Sequence, residues 1–294
     1  MTAGSGRTRD LRTRQEAHLT QQEEVRRRRG IYLLPSLFTT GALFAGFFAI
    51  IEALRGDFTT AAIAILVAMV LDGLDGRVAR MTNTQSDFGG EYDSLSDMVS
   101  FGVAPALIVY EWSLSNVGEF VAQWNKLGWL AAFLYAACAA LRLARFNTQI
   151  GKADKRFFQG LASPSAAAIM VGMVWFSRDL GIEGRDLMIL AFAVTISTGL
   201  LMVSNVPYYS FKDLGTAKRV PFVASLAVVM LFVFTSLDPP KVIFAGFAVY
   251  GLSGPLWWLY RRIRRIGRRS GARGRTRSRT DEGPGAADEE SPPD

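Results

Sequence analysis

Four aspartates at close, regular spacing are the residues of this 294-residue chain best suited to chemistry. Residues 72–97 read DGLDGRVARMTNTQSDFGGEYDSLSD, with Asp72 and Asp75 three apart and Asp93 and Asp97 four apart. On helices, each pair projects from one face. Carboxylates at this density repel one another, and no lysine stands among them, so the group calls for bound cations. An all-oxygen ligand set selects magnesium or manganese over zinc. Gly73 and Gly76 thin the first helix so that a bulky phosphate can approach, and Arg80, one turn on, offers that phosphate a bidentate partner. Gly89 and Gly90 permit a sharp return into the second helix. Any one of these aspartates could be a solvated loop carboxylate. That reading fits poorly for all four together with the glycines and Arg80.

Other reactive side chains are scarce. The single histidine, His18, lies in a charged polar stretch, and the single cysteine, Cys138, lies in an apolar run. A disulfide within the chain and a paired-cysteine metal site are therefore excluded, and Cys138 reads as a packing residue. Acid–base work falls to the carboxylates.

The elements that must position them are membrane helices. Half of the residues are hydrophobic and 20% are charged, too apolar for a soluble domain of this size. Eight apolar runs, near 32–53, 59–79, 91–112, 126–146, 161–178, 186–205, 220–237 and 241–260, approach the roughly 20 residues needed to cross about 30 Å of hydrocarbon. Backbone polar groups in lipid must be satisfied within each segment, so the expected fold is all-α, a polytopic bundle of about eight spans without strands. Pro239 and Pro240 mark a tight turn between the last two. Residues 1–30, too long and too rich in acids and glutamines for a cleaved signal, read as a disordered basic tail. Residues 31–260 form the membrane domain, and residues 261–294 a second disordered tail, basic and then acidic.

With both tails and the loops after the second, fourth and sixth runs on one side, that side holds 28 of the 33 lysines and arginines. The positive-inside rule makes it cytoplasmic, and the aspartates lie there too. The basic part of the C-terminal tail suits anionic lipid at about 1 kcal/mol per residue near the surface. It lacks the aromatic interleaving and fold of a nucleic-acid binder, so no nucleic acid is expected.

Three further stretches share the side of the aspartates. ALRLARFN puts Arg142 and Arg145 three apart, with Asn147 beyond; FQGLASPSAAA brings Gly160, Ser163 and Pro164 to the start of the fifth run; MVSNVPYYSFKDL closes the sixth with Tyr209, Ser210 and Lys212. The arginines read either as positive-inside anchors or as partners for an acceptor's carboxylate.

The pattern Asp-x-x-Asp-Gly-x-x-Ala-Arg, eight residues, Gly, three, Asp, three, Asp resembles the signature of the CDP-alcohol phosphotransferase family. It is complete here in Asp72, Asp75, Gly76, Ala79, Arg80, Gly89, Asp93 and Asp97. The resemblance implies two Mg2+ or Mn2+ ions on the four aspartates, with Asp97 also the general base, and CDP-diacylglycerol contacts at Gly76, Ala79, Arg80 and Gly89. RLARFN and the GLASP segment look like those of bacterial membrane-embedded phosphatidylserine synthases, over roughly residues 31–215. That implies L-serine as acceptor, met by Arg142, Arg145, Asn147, Ser163 and Lys212, with phosphatidylserine and CMP as products. It also implies a homodimer, and with the charge asymmetry the protein is expected in the cell membrane with active site and termini cytoplasmic. Two positions depart: Ala162 stands where a first proline is usual, and Ser36 follows Pro35 where asparagine is common. Another acceptor, glycerol 3-phosphate or an inositol phosphate, keeps the same chemistry. A divalent-cation transporter is the alternative of a different class; it predicts no CMP release and gives the glycines and Arg80 no role.

Overall fold

Small residues recur at helical spacing along the first two apolar runs, where close backbone approach is the main source of packing energy between helices in lipid. In α1 (Ser36–Leu54) they are Ala42, Ala45, Ala49 and Ala53, all buried. In α2 (Phe58–Thr82) the buried apolar residues are Ala61, Ala62, Ala64, Ile65 and Ala68. The computed structural model describes residues 36–82, 86–116, 125–148, 157–209 and 222–277.

The third apolar run is a broken helix. α3 (Asp87–Asp97) passes into a π-helical turn, Met98–Val103, and then into α4 (Ala104–Trp112). Pro105 supplies the reason. Its nitrogen carries no hydrogen, so the carbonyl of Phe101, four residues earlier, loses its normal helical donor. The ladder widens, and the Ala104 amide reaches back five residues to Val99 O. The phenol of Tyr135, fully buried, donates to the orphaned Phe101 carbonyl at 3.0 Å. Tyr135 lies on α5 (Asn125–Thr148).

α6 (Ser163–Asp179) is the central helix, buried without interruption from Ala166 to Val174 and packed against α2, α4, α7 (Met188–Val203) and α9 (Pro239–Arg277). α5 packs most extensively on α7, where Gly199 lets the backbone of Tyr135 and the buried Cys138 come close. α8 (Phe222–Leu237) completes the set and turns directly into α9. The proline device recurs in α9, where Pro255 deprives Gly251 O of its donor and the buried Tyr208 phenol donates to it at 2.8 Å.

Helices coincide with all eight apolar runs, and among the described residues four are long and apolar enough to cross a membrane: Ser36–Leu54, Phe58–Thr82, Lys126–Thr148 and Pro239–Arg261. α6, α7 and α8 are shorter, at 17, 16 and 16 residues, so length and composition alone do not establish eight crossings. Two findings differ from the sequence reading. A short antiparallel ladder joins β1 (Phe157–Gln159) to β2 (Pro207–Tyr209), pairing Phe157 with Tyr209 and Gln159 with Pro207. It forms in the connections, outside the apolar helices, where extended segments leading into α6 and out of α7 lie side by side. And α9 continues to Arg277, past the boundary drawn at residue 260. The apolar run ends there, but arginine is a good helix former and the segment holds no proline to stop it. The N-terminal tail and residues 278–294 lie outside the described residues.

Candidate functional site

The acidic segment folds as two helices joined by a short connection. Ser86 caps the second, its Oγ accepting from the Gly89 amide at 3.0 Å, and from there α3 carries Asp93 and Asp97 past the C-terminal half of α2. The result is a group of three carboxylates: Asp72 of α2 and Asp93 and Asp97 of α3 each offer an oxygen, all within 4.8 Å of one another. Each of the three is partly buried. Anionic oxygens that close repel strongly in a low-dielectric setting, and an all-oxygen donor set is the one that suits a hard divalent cation. The residues present therefore fit a metal of that class.

Asp75 is not one of these three but lies within Coulombic reach of Asp72 and Asp93. It is buried, and its Oδ2 accepts a hydrogen bond from Thr39 Oγ1 on α1. α1 is tied to the other carboxylate helix as well: Ser96 Oγ donates to Thr39 O at 3.2 Å and Ser100 Oγ to Ala42 O at 3.0 Å. Gly46 allows this approach, since a Cβ there would lie 2.5 Å from Ser100 Oγ.

Of the expected nucleotide-side residues, Gly76 and Ala79 are partly buried and Arg80 is exposed. The Arg80 guanidinium folds back along its own helix, so that a Cβ on Gly76 would lie 3.5 Å from Nη1. Gly73 faces open space, with nothing within 4 Å of a Cβ built there.

The candidate acceptor residues separate into two sets. Arg142 and Ser163 belong together, the guanidinium Nη1 donating to Ser163 Oγ at 2.9 Å. Arg142 also lies within Coulombic reach of Asp97, Tyr135 and Tyr250. Its Nε is buried, with no hydrogen-bond partner among the described residues. Asn147 Nδ2 donates to Ser94 Oγ at 3.0 Å, beside Asp93, tying α5 to α3. Arg145 is occupied elsewhere. Its guanidinium donates to Gln159 Oε1 of β1, to Asn205 Oδ1 at 2.7 Å and to Val203 O at 3.4 Å, joining α5 to β1 and to the end of α7. Lys212 lies outside the described residues.

The GLASP segment is held in place by backbone contacts. Gly160 adopts φ +82°, and a Cβ there would lie 2.3 Å from Met202 O, so only glycine fits. Its amide donates to Val206 O at 2.9 Å and that of Leu161 to Leu201 O at 3.0 Å. Ala162, at φ −64° and ψ 138°, holds a conformation proline would adopt unchanged. The departure at this position thus preserves the geometry that presents Ser163.

Residues 32–252 match the family model for CDP-alcohol phosphatidyltransferase. This chain belongs to that family. It is similar to the CDP-diacylglycerol–serine O-phosphatidyltransferase of Helicobacter pylori, 35% identical over 238 residues that cover 80% of this chain and 95% of the relative. The protein of the same description from Mycobacterium leprae is 34% identical over 224 residues, 74% of this chain and 71% of the relative. One from Methanocaldococcus jannaschii is 39% identical over 149 residues, 51% of this chain and 63% of the relative. Members of the family generally use divalent metal ions, and the three-carboxylate group of this chain could hold one. With its apolar helices, the chain is a membrane protein.

Sequence reasoning passed over Thr39, Ser94, Ser96 and Tyr135. Thr39 and Tyr135 sit inside apolar runs, where a lone hydroxyl carries no spacing signal. Pro105 was the available cue to Tyr135, because a proline within a membrane helix leaves a carbonyl that something must satisfy.

Proposed function

We propose that this protein transfers the phosphatidyl group of CDP-diacylglycerol to the hydroxyl of L-serine, releasing CMP and forming phosphatidylserine. The observation that carries the reading is the convergence of Asp72, Asp93 and Asp97 from two helices, beside the partly buried Arg142, in a chain whose relatives bear that activity in their names. Asp97 acts as general base and takes the proton of the serine hydroxyl. The serine oxygen then forms a bond to the phosphorus that carries the lipid. The bond from that phosphorus to the bridging oxygen breaks, and CMP leaves with the electron pair.

Asp72, Asp75, Asp93 and Asp97 would hold two divalent cations, Mg2+ or Mn2+, whose charge offsets that of the pyrophosphate. Gly76, Ala79, Arg80 and Gly89 serve the liponucleotide, with Arg80 free to swing from α2 toward phosphate. Arg142, held by Ser163, pairs with the serine carboxylate. Its unpartnered Nε–H supports this role, because a buried cationic donor left unsatisfied is costly unless a ligand completes it. Arg145 serves the scaffold, and Asn147 and Lys212 complete the acceptor side.

The same reading places eight crossings in the plasma membrane with both termini and the site cytoplasmic, since 28 of the 33 lysines and arginines then face the cytoplasm. It includes a homodimer, a membrane domain at 31–260 with charged tails on either side, and anionic lipid against the basic C-terminal stretch.

An assay of CMP release by the purified protein tests it, with CDP-diacylglycerol, Mg2+ or Mn2+, and serine, glycerol 3-phosphate or inositol phosphate in turn. CMP should appear with serine and stop on chelation. Release with a phosphorylated alcohol alone would reassign the acceptor. Failure with every alcohol, together with cation uptake into vesicles, would replace the transferase by a transporter.

A further inference from the structure

The aspartate pattern lies wholly on α2 and α3, yet both helices are held at one residue of α1. Thr39 is 3% exposed. Its hydroxyl donates to Asp75 Oδ2 on α2, and its carbonyl accepts from Ser96 Oγ on α3 at 3.2 Å. Ser96 is 2% exposed and immediately precedes Asp97. One turn further along, Ser100 repeats the contact at Ala42 O. A single residue of α1 thus spans from Asp75 to the helix that supplies two members of the three-carboxylate group.

The hydrogen bond engages one oxygen of Asp75 and so orients the carboxylate. That is the arrangement by which residues behind a metal site orient its ligands. Thr39 itself is a poor ligand: it is buried and already bonded to Asp75.

We propose that Thr39 is a positioning residue for the cation-binding carboxylates. It orients Asp75 and ties α2 to α3, so that cation affinity depends on a helix that supplies no ligand. The inference rests on reading these carboxylates as a cation site, and the test separates the two.

Thr39→Val keeps the shape of the side chain and removes its hydroxyl; Thr39→Ser keeps the hydroxyl and removes a methyl. The full-length protein and each variant, in nanodiscs, are titrated with Mn2+, and free Mn2+ is read by electron paramagnetic resonance. Loss of such an orienting partner weakens metal binding about 10- to 100-fold, so Thr39→Val should bind Mn2+ at least about tenfold more weakly and Thr39→Ser within about threefold of wild type. In turnover, the Mn2+ concentration for half-maximal rate should rise in step with that loss while the KM for serine stays within about twofold.

Wild-type affinity in Thr39→Val would overturn the proposal. Equal losses in Thr39→Val and Thr39→Ser would assign the effect to packing and overturn it too. Wild-type protein that binds Mn2+ no better than an Asp97→Asn variant would sink the cation-site reading itself. Gel filtration checks folding. Should Thr39→Val aggregate, Ser96→Ala decides: it cuts the tie to α3 without touching a carboxylate, and unchanged Mn2+ affinity there overturns the proposal.

Discussion

Where α1 turns into α2, Asp57 accepts from the Thr60 amide at 3.0 Å and from the Thr60 hydroxyl at 2.7 Å, closing the first turn of the helix. At the same end of the bundle, Ser113 Oγ donates to Gly184 O at 2.6 Å, and Gly128 and Gly184 let the backbones of Leu114 and Trp112 come within contact. Apart from the Trp112 indole N–H, the buried polar side chains described there have partners. Toward the other end of α2, Asp72, Asp93 and Asp97 crowd within 4.8 Å, and a cationic nitrogen of Arg142 is buried without a hydrogen-bond partner among the described residues. The first end is built to close on itself. The second carries electrostatic costs that a self-sufficient fold would have removed, and such costs persist where a ligand relieves them.

The largest test of this contrast is at Asp97. A positioned general base contributes about 10²- to 10⁴-fold, so Asp97→Asn should cut CMP release by about 10³-fold without lowering the melting temperature. Near-normal turnover would remove its role as base. Arg142 and Arg145 sharpen the comparison within the acidic end. Arg142→Lys should raise the KM for serine by about tenfold or more, because lysine cannot reproduce the planar fork. Arg145→Lys should instead lower the melting temperature, with serine KM little changed; equal effects on serine KM would erase the distinction drawn between them.

At the closed end the expectation reverses. A Cβ on Gly184 would lie 1.9 Å from Trp112 O, so Gly184→Ala should destabilise the protein by about 1–3 kcal/mol while leaving serine KM and Mn2+ affinity alone. A tyrosine–proline cycle tests the proline device by itself. Tyr208→Phe strands the Gly251 carbonyl and should cost about 1–3 kcal/mol. In a Pro255→Ala background, where an amide again reaches that carbonyl, the penalty should shrink, and a full penalty there would show that Tyr208 acts through something else.

The smallest effect belongs to Asp57. Hydrogen bonds from the Thr60 amide and hydroxyl hold its carboxyl below the ordinary carboxylate range. A depressed folded value means that the contribution is present above the unfolded carboxylate range and fades as pH falls through the folded one. Asp57→Ala should therefore cost about 1 kcal/mol near neutral pH. The gap in melting temperature between variant and wild type should narrow in acid.

Much of the acidic end was legible without coordinates. The three- and four-residue spacings of the aspartates place each pair on one helical face whatever the surroundings, and glycines between them advertise room for a phosphate. The eight apolar runs were legible as helices for an equally local reason, that backbone in hydrocarbon has no other partner. The extension of α9 to Arg277 was missed because a lack of apolar residues was taken as a lack of helix, though arginine-rich sequence without proline can keep the form. The β1–β2 ladder was missed because each strand is three residues long and acquires its partner from a segment about fifty residues away.

By itself, then, the sequence determined which carboxylates could serve a cation, the helical class and the two helices that bear those carboxylates, because these follow from residue type and local periodicity. Tertiary structure alone decided that Asp75 takes a hydrogen bond from α1, that Arg142 is held by Ser163 while Arg145 staples the scaffold, and that Tyr135 and Tyr208 repair carbonyls orphaned by prolines. Each depends on the rotation and depth at which one helix meets another. Those are set by where small residues such as Gly46 and Gly199 let backbones approach, a property of paired surfaces that no single helix records.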